Sequence, residues 1–435
     1  MNDRATVFAP EQQAAGHQID GLRSGARHLC GAALAQALTD ARARTWALVS
    51  DLTPAQWQPP IQPGVNPIAW ELAHLAWFAE FWVLRGPHQF GPSGLVTAHH
   101  APRFAGPDAH LDSARLPHPQ RWAIPLPEAA ALKKMLDDQL AACVAALSGS
   151  ELSRPDLTND NEADDALYFH RLALFHEDMH AEALCWLRAA LGYAPPVGIV
   201  MPSCGLRQPL RVRGGDVNLG SGADAAGFAF DNERPGKRVS LQDFEVDSQP
   251  VSALEFAEFV DADGYGQAQF WSADGGRWRS ESGCCQPSHW RRSSHGSWQM
   301  RWFDQWLALQ PGVPAMHLNA FEAEAYCLWA KRRLPTAAEW EHAAQSSRTS
   351  QSGQSDNAGF TWGNSVWEWT ADAFTPYPGF SAGPYKQYSQ PWFGDHRELR
   401  GGAFATHPRM HHPHYRNFFL PERSDVFAGF RTAAL

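Results

Sequence analysis

At 435 residues the chain is too long for one ordinary hydrophobic core, and two units of roughly 200 residues are the expectation. Hydrophobic residues make up 44% against 19% charged, a globular balance that excludes a disordered chain. A formal charge of −10 offers no broad cationic face to a phosphate backbone, so nucleic acid and anionic membrane are excluded as expected partners, and a small-molecule substrate is favoured.

Residues 1–20 are polar, without the apolar stretch of a signal peptide, and no run of about 18 apolar residues follows. The seven cysteines (Cys30, Cys143, Cys185, Cys204, Cys284, Cys285 and Cys327) are odd in number, scattered and without CxxC spacing. Adjacent Cys284 and Cys285 make a poor disulfide. The reading is a cytoplasmic protein with reduced thiols.

The first half reads as helices. Residues 28–51 are Ala- and Leu-rich, and Asn66 as cap with Pro67 at the first helical position opens a helix over 67–85. Periodicity predicts two more over 128–148 and 163–191, and four such helices make a bundle. The segment 86–127, with His88, His99, His100, His110 and His118 among many prolines, is too broken for helix and reads as a long connection of the kind that borders a site. After Gly192 a Pro-, Gly- and Ser-rich stretch sets a boundary near 195–205, giving a helical domain over 1–195 and a second domain over 206–435. That second domain is dense in Gly, Trp and Phe, with helical stretches near 252–263 and a pair near 319–345, where Thr336 and Glu339 have capping-box spacing. The fold class is α+β, a four-helix bundle followed by a mixed domain with little regular structure.

In FHEDMHAEAL, His176 and His180 lie four residues apart, so on a helix both imidazoles emerge on one face. The same letters satisfy H-E-x-x-H, the zinc hydrolase motif with Glu177 as general base. The longer metzincin pattern fails, because Ala183 and Trp186 stand where Gly and His are needed. A third ligand is offered by His74 in the helix 67–85, since facing helices of a bundle build metal sites from inward side chains. Three neutral imidazoles suit zinc, iron or copper, and spacing does not choose between them. Glu182 is expected to point away from the ligand face, as a surface or supporting group. A metal-free histidine pair and a non-enzymatic, Trp-rich binding protein stay open beside the enzyme readings.

Across nearly its whole length the chain resembles the ergothioneine-biosynthesis sulfoxide synthases, in which a DinB-like bundle precedes a formylglycine-generating-enzyme-like (C-type-lectin-like) domain. The motifs are LAHLAWF around His74, HEDMH at 176–180, RGGDVNLGS at 213–221, DNERP at 231–235, RLPTAAEWE at 333–341, VWEWT at 366–370, RGGAFAT at 400–406, YRNFF at 415–419 and GFR at 429–431. The resemblance implies ferrous iron, Fe(2+), on His74, His176 and His180, and an O2-dependent attachment of a chalcogen to the imidazole C2 of hercynine. It also implies Tyr385 of YKQY as proton donor, Asn417 beside the hercynine ring, and Tyr388 and Phe418 as pocket walls, with Arg416 a structural charge.

The departures are informative. Met179 stands where those enzymes often carry glutamine, and Phe419 where an acidic residue often follows the asparagine. Losing polar groups there fits a neutral chalcogen donor, and the loop DAHLDSARLPHPQRW at 108–122 resembles the selenoneine synthase branch, which joins a selenosugar to hercynine. A sulfur-using enzyme taking a cysteine-containing thiol is the alternative. Formylglycine generation needs a cysteine pair after the RGG motif, and AFATHPRMHHPHYR has none. His407, His411, His412 and His414 in that run are read as solvated or supporting groups rather than a second metal site.

Overall fold

The computed structural model describes residues 25–91, 94–149, 160–348 and 359–435, so the expectation for residues 1–20 lies outside the described residues. Four long helices form the first half: α1 (Gly31–Ala47), α2 (Ile68–Ala79), α4 (Ala129–Gly149) and α5 (Asp160–Ala190). Helices α1 and α2 each pack on both α4 and α5. Helix α2 starts one residue later than expected. Pro67 is the flanking residue, with ψ at 133°, and the Asn66 side chain makes no cap but donates to Glu71 Oε1 at 2.5 Å. Every residue of α2 is buried, because the connection 86–127 folds over the face the bundle leaves open. The helix continues as one π turn, Glu80–Leu84, whose Glu80 carboxylate accepts the N–H of Phe104 (3.2 Å) and Ala105 (2.9 Å) and so pins that connection.

The connection has short elements of its own: the antiparallel pair β1 (His88–Phe90) and β2 (Val96–Ala98), helix α3 (Asp108–Leu111) and a 3-10 turn, His118–Ala123. Asp108 fixes α3, accepting from Trp77 Nε1 (2.8 Å) and Arg85 Nη1 (2.6 Å).

No helix or strand lies between α5 and β3 (Pro209–Val212). Beyond it, β3 pairs with β6 (Phe244–Asp247), β4 (Gly215–Leu219) with β5 (Lys237–Leu241), and β7 (Trp290–Arg292), β8 (Trp298–Trp302) and β9 (Gln305–Ala308) form a three-stranded sheet. A four-stranded sheet of order β12-β11-β10-β13 joins Asn417–Phe419, Arg397–Arg400, Trp367–Ala373 and Ala428–Gly429. Helices α6 (Ala253–Asp261), α8 (Ala320–Trp329) and α9 (Ala337–Arg348) fall where periodicity puts them, and the capping box at Thr336 forms, with Glu339 N donating to Thr336 Oγ1 at 3.1 Å and Thr336 N to Glu339 Oε2 at 2.8 Å. Helix α7 (Ala273–Ser282) was not expected. Its sequence, ADGGRWRSES, has no apolar period, and the helix is instead set by the Ser272 cap and by Gly283, left-handed at φ 66°.

One buried apolar cluster runs from Trp70 and Phe78 through Phe175 and Phe228 to Trp367 and Phe430, so the two halves share a core. All seven cysteines are free. Among the described residues no helix is long and apolar enough to cross a membrane.

Beneath the four-stranded sheet, Glu398 bridges two buried guanidiniums: Oε1 accepts from Arg400 Nε (2.6 Å), and Oε2 from Arg416 Nε (3.0 Å) and Nη2 (2.8 Å). Arg400 pairs again with Glu341 at 2.9 Å, and Arg416 reaches the carbonyl of Thr375 at 2.7 Å. Arg416 is thus a structural charge that anchors the strand bearing Asn417. Breaking a buried pair on one side leaves uncompensated charge. Glu398→Ala is therefore expected to lower the unfolding free energy by about 3–5 kcal/mol in urea denaturation, whereas Lys134→Ala, at the exposed Lys134–Asp138 pair, changes it by less than about 0.5 kcal/mol.

Candidate metal centre

Helix α2 contributes His74 and α5 contributes His176 and His180, four residues apart on one face. One nitrogen from each lies within 4.8 Å of the others. The ring centroids are 5.2 Å (His74–His176), 5.0 Å (His74–His180) and 4.5 Å (His176–His180) apart. His74 and His176 are buried, His180 half-buried. The outer nitrogens of two rings are engaged: His74 Nδ1 donates to Leu111 O at 2.7 Å, and His180 Nδ1 to Glu71 Oε2 at 2.6 Å. Both bonds put the lone pair on Nε2, facing the shared point.

Burial keeps His74 and His176 unprotonated. Burial, and after it the repulsion of His180, depresses His74 to about 3. Burial, then His180 and His74, holds His176 well below the ordinary imidazole range. Burial pushes the Glu71 carboxyl up, but the charge and hydrogen bond of His180 and the bond from Asn66 outweigh it and hold it at about 2. Three imidazoles, one braced by a carboxylate, fit a divalent transition metal with coordination positions left open.

Aromatic rings lock the orientations. Phe78 lies flat on His176 (3.5 Å between centroids, 4° between planes), and Trp70 stacks on His74 (5.0 Å, 9°). Leu111, which holds His74, closes α3, so the loop 108–122 belongs to the site's own framework.

The histidine cluster opens, at His176 and His180, into a cavity of about 510 Å³, within the range of small-molecule sites. From α5 it is lined by His176, Met179, His180, Glu182, Ala183 and Trp186. The mixed half supplies Tyr385, Gln387, Tyr388, Trp392, Tyr415, Asn417 and Phe419, and the loop adds Ser113 and Ala114. The tyrosine segment is hung on Asp231 of the DNERP motif, whose carboxylate accepts from Gly383 N (3.2 Å) and Ser389 Oγ. Burial, then the charge of Asp112, raises the Tyr385 phenol above its ordinary value despite a hydrogen bond with Ser113. Its ring packs edge-on against Phe78 at 5.0 Å. Tyr388 stacks on Phe230 at 4.5 Å and bonds to Tyr415. Asn417 Oδ1 accepts from Phe418 N at 2.9 Å, which leaves Nδ2 for a ligand.

Thus Tyr385, Tyr388, Asn417, Phe419 and Met179 come together around the cavity, and Phe418 does not. On the strand Asn417–Phe419 neighbours face opposite ways, and Phe418 stacks on Phe374 (4.1 Å, 14°), behind Tyr388. Glu182 also departs from expectation. It is buried on the cavity wall, its oxygens accepting from Trp367 Nε1 and Thr406 Oγ1, both at 2.7 Å, because the mixed half covers that side of α5. Burial raises its carboxyl to about 6, against the pull of both bonds. Glu177 faces the other way: Arg42 binds both its oxygens (2.7 and 3.1 Å) inside the bundle, so the general base of an H-E-x-x-H hydrolase is missing from the cavity. His407 Nδ1 accepts from Arg409 N (3.3 Å) and His412 Nδ1 from His414 N (3.2 Å). Among the described residues His74, His176 and His180 are the one grouping of three or more ligand-type side chains.

Residues 37–184 match the DinB superfamily, and residues 201–365 and 358–434 match the sulfatase-modifying factor enzyme 1-like domain. The hercynine oxygenase of Mycobacterium tuberculosis is 31% identical over 92% of this chain and 98% of its own length, and that of Mycolicibacterium smegmatis is 31% identical over the same shares. The formylglycine-generating enzyme of Streptomyces coelicolor is 26% identical over 52% of this chain and 89% of its own. With both domain types present in this order and relatives matched end to end, the chain is an oxidoreductase that belongs to the hercynine oxygenase family.

Proposed function

We propose that the chain forms a carbon–selenium bond between a selenosugar and the imidazole C2 of hercynine, using ferrous iron on His74, His176 and His180 and dioxygen as oxidant. The observation that carries the reading is the cavity itself: it is lined by His176 and His180 of the three-imidazole cluster together with Tyr385 and Asn417. Zinc lacks redox chemistry, so an oxygenase built on this donor set calls for a redox-active metal, and likeness to the hercynine oxygenases favours iron over copper. When bound, ferrous iron supplies electrons for dioxygen activation and open positions for a soft chalcogen.

The chain's own residues do the rest. Asn417 Nδ2 donates to a hercynine ring nitrogen, its orientation held by Phe418 N. The faces of Tyr388, Phe419 and neighbouring rings attract the trimethylammonium group. Tyr385, kept protonated by burial, holds a proton at Oη for the oxygen being reduced.

The cavity wall supports the neutral donor. It includes no Lys or Arg among the described residues, and Met179 and Phe419 present apolar surface. Arg423, behind Trp186 and Phe419, is paired with Asp425 at 2.8 Å. Hercynine carries its own cation beside its carboxylate, whereas a γ-glutamylcysteine-type thiol brings extra carboxylates that find no counter-charge here. A hydroxylated sugar meets aromatic faces and the neutral donors Ser113 and Gln387.

Protein reconstituted anaerobically with ferrous iron, then given hercynine, oxygen and a selenosugar, is expected to yield a C2-selenium product by mass spectrometry, with γ-glutamylcysteine inert. Preferential turnover of the thiol would sink the donor assignment, and no C2 product with either donor would sink the function. Tyr385→Phe is expected to lower kcat by about 10²–10⁴-fold with ferrous affinity unchanged. An unaltered kcat would remove Tyr385 from the proton step.

A further inference from the structure

Arg121 lies off the cavity wall yet reaches two of the three histidines. Its Nη1 donates to Asn66 Oδ1 at 2.8 Å. With Oδ1 taken, the amide must turn Nδ2 to Glu71, donating to Oε1 at 2.5 Å. A flipped amide would set its oxygen against the carboxylate and its NH2 against the guanidinium, mismatched at both ends. Glu71 is thereby held with Oε2 on His180 Nδ1 at 2.6 Å, which fixes the tautomer and aim of that ring. The same guanidinium lies 4.1 Å over Trp70, whose ring stacks on His74.

Arg121 gains little for itself from this position. Its Nε is buried with no hydrogen-bond partner among the described residues, and an unmet buried donor is costly. What the placement does is brace its neighbours. We infer that Arg121 is a positioning residue of the metal centre, aiming His180 through the Asn66–Glu71 relay and bracing His74 through Trp70. The inference rests on reading His74, His176 and His180 as metal ligands. It gives the 108–122 loop a second grip on the site besides the Leu111 carbonyl on His74.

The test uses the full chain and two metals, ferrous iron and cobalt(II), with affinities from anaerobic chelator competition and the visible ligand-field spectrum of the cobalt form. Arg121→Met removes both routes. Asn66→Asp keeps a partner for Arg121 but turns a carboxylate on Glu71, breaking the relay alone. Ferrous affinity is expected to fall about 10–100-fold in both, with a shifted cobalt spectrum and wild-type circular dichroism. Trp122→Phe loses the Trp122 Nε1 bond to Pro59 O (2.6 Å) that ties down the same loop, and is expected to keep wild-type affinity and spectrum. Wild-type affinity and spectrum in Arg121→Met and Asn66→Asp would overturn the inference. So would an equal loss in Trp122→Phe, or a defect confined to the KM for hercynine. Wild-type protein that takes up neither metal would sink the ligand reading, and this inference with it.

Discussion

Three imidazoles, two of them buried, can share one point only if none carries a proton on the nitrogen that faces it. Burial enforces this in His74 and His176, where a charged ring would be stranded away from water. His180 is less buried, and the Glu71 carboxylate orients it by taking its Nδ1–H and aiming Nε2 inward. Much of the surrounding structure serves that requirement. The enclosure of α2 buries His74, Asp108 sets the turn that brings Leu111 O to His74, and Phe78 and Trp70 stop the rings from turning.

The second requirement is register between the two halves, and it is met around helix α5. At about 100° per residue, His176 and His180 point to α2, Glu177 into the bundle, and Asp178 and Glu182 to the mixed half. Each polar direction has a partner: Arg42 for Glu177, Arg409 for Asp178 at 2.6 Å, and Trp367 with Thr406 for Glu182. A one-residue slip of the helix would strand three buried carboxylates at once. The same slip would turn the apolar face of α5 off the shared core, so packing and polar contacts together specify how the cavity wall meets the three histidines.

How much of this was legible in the sequence follows from the range of the forces. The i, i+4 spacing of His176 and His180 is local, and His74 follows once four amphipathic helices imply a bundle. The motifs carried Tyr385, Tyr388 and Asn417 through resemblance. Helix α7 was missed because its caps, not a hydrophobic period, define it. Phe418 was misassigned because only the strand's pairing, Leu399 opposite Asn417, decides which neighbour faces the cavity. The role of Glu182 depends on Trp367 and Thr406, about two hundred residues away. Helical geometry alone turned it away from His180 correctly, but could not foresee the wall it would join. Arg121 was invisible for the same reason: its partners are Asn66 and Trp70, and a lone Arg in a Pro-rich loop carries no pattern.

The electrostatic character of the cavity bears on the proposed chemistry more directly than any one contact. Among the described residues its wall carries one carboxyl outside the metal cluster, Glu182, with both oxygens occupied, and no cation. Of the carboxylates near the three histidines, Glu71 is shared between His180 and Asn66, and Glu177 is turned to Arg42. A divalent ion at the floor would then be the strongest positive centre facing the substrate, with its field little screened by the aromatic wall. On the proposed chemistry such a space would favour a soft chalcogen at the metal, a zwitterion held by ring faces and one amide, and a phenol kept protonated. These preferences share one cause, a largely apolar and aromatic wall without Lys or Arg among the described residues, to which Met179 and Phe419 contribute.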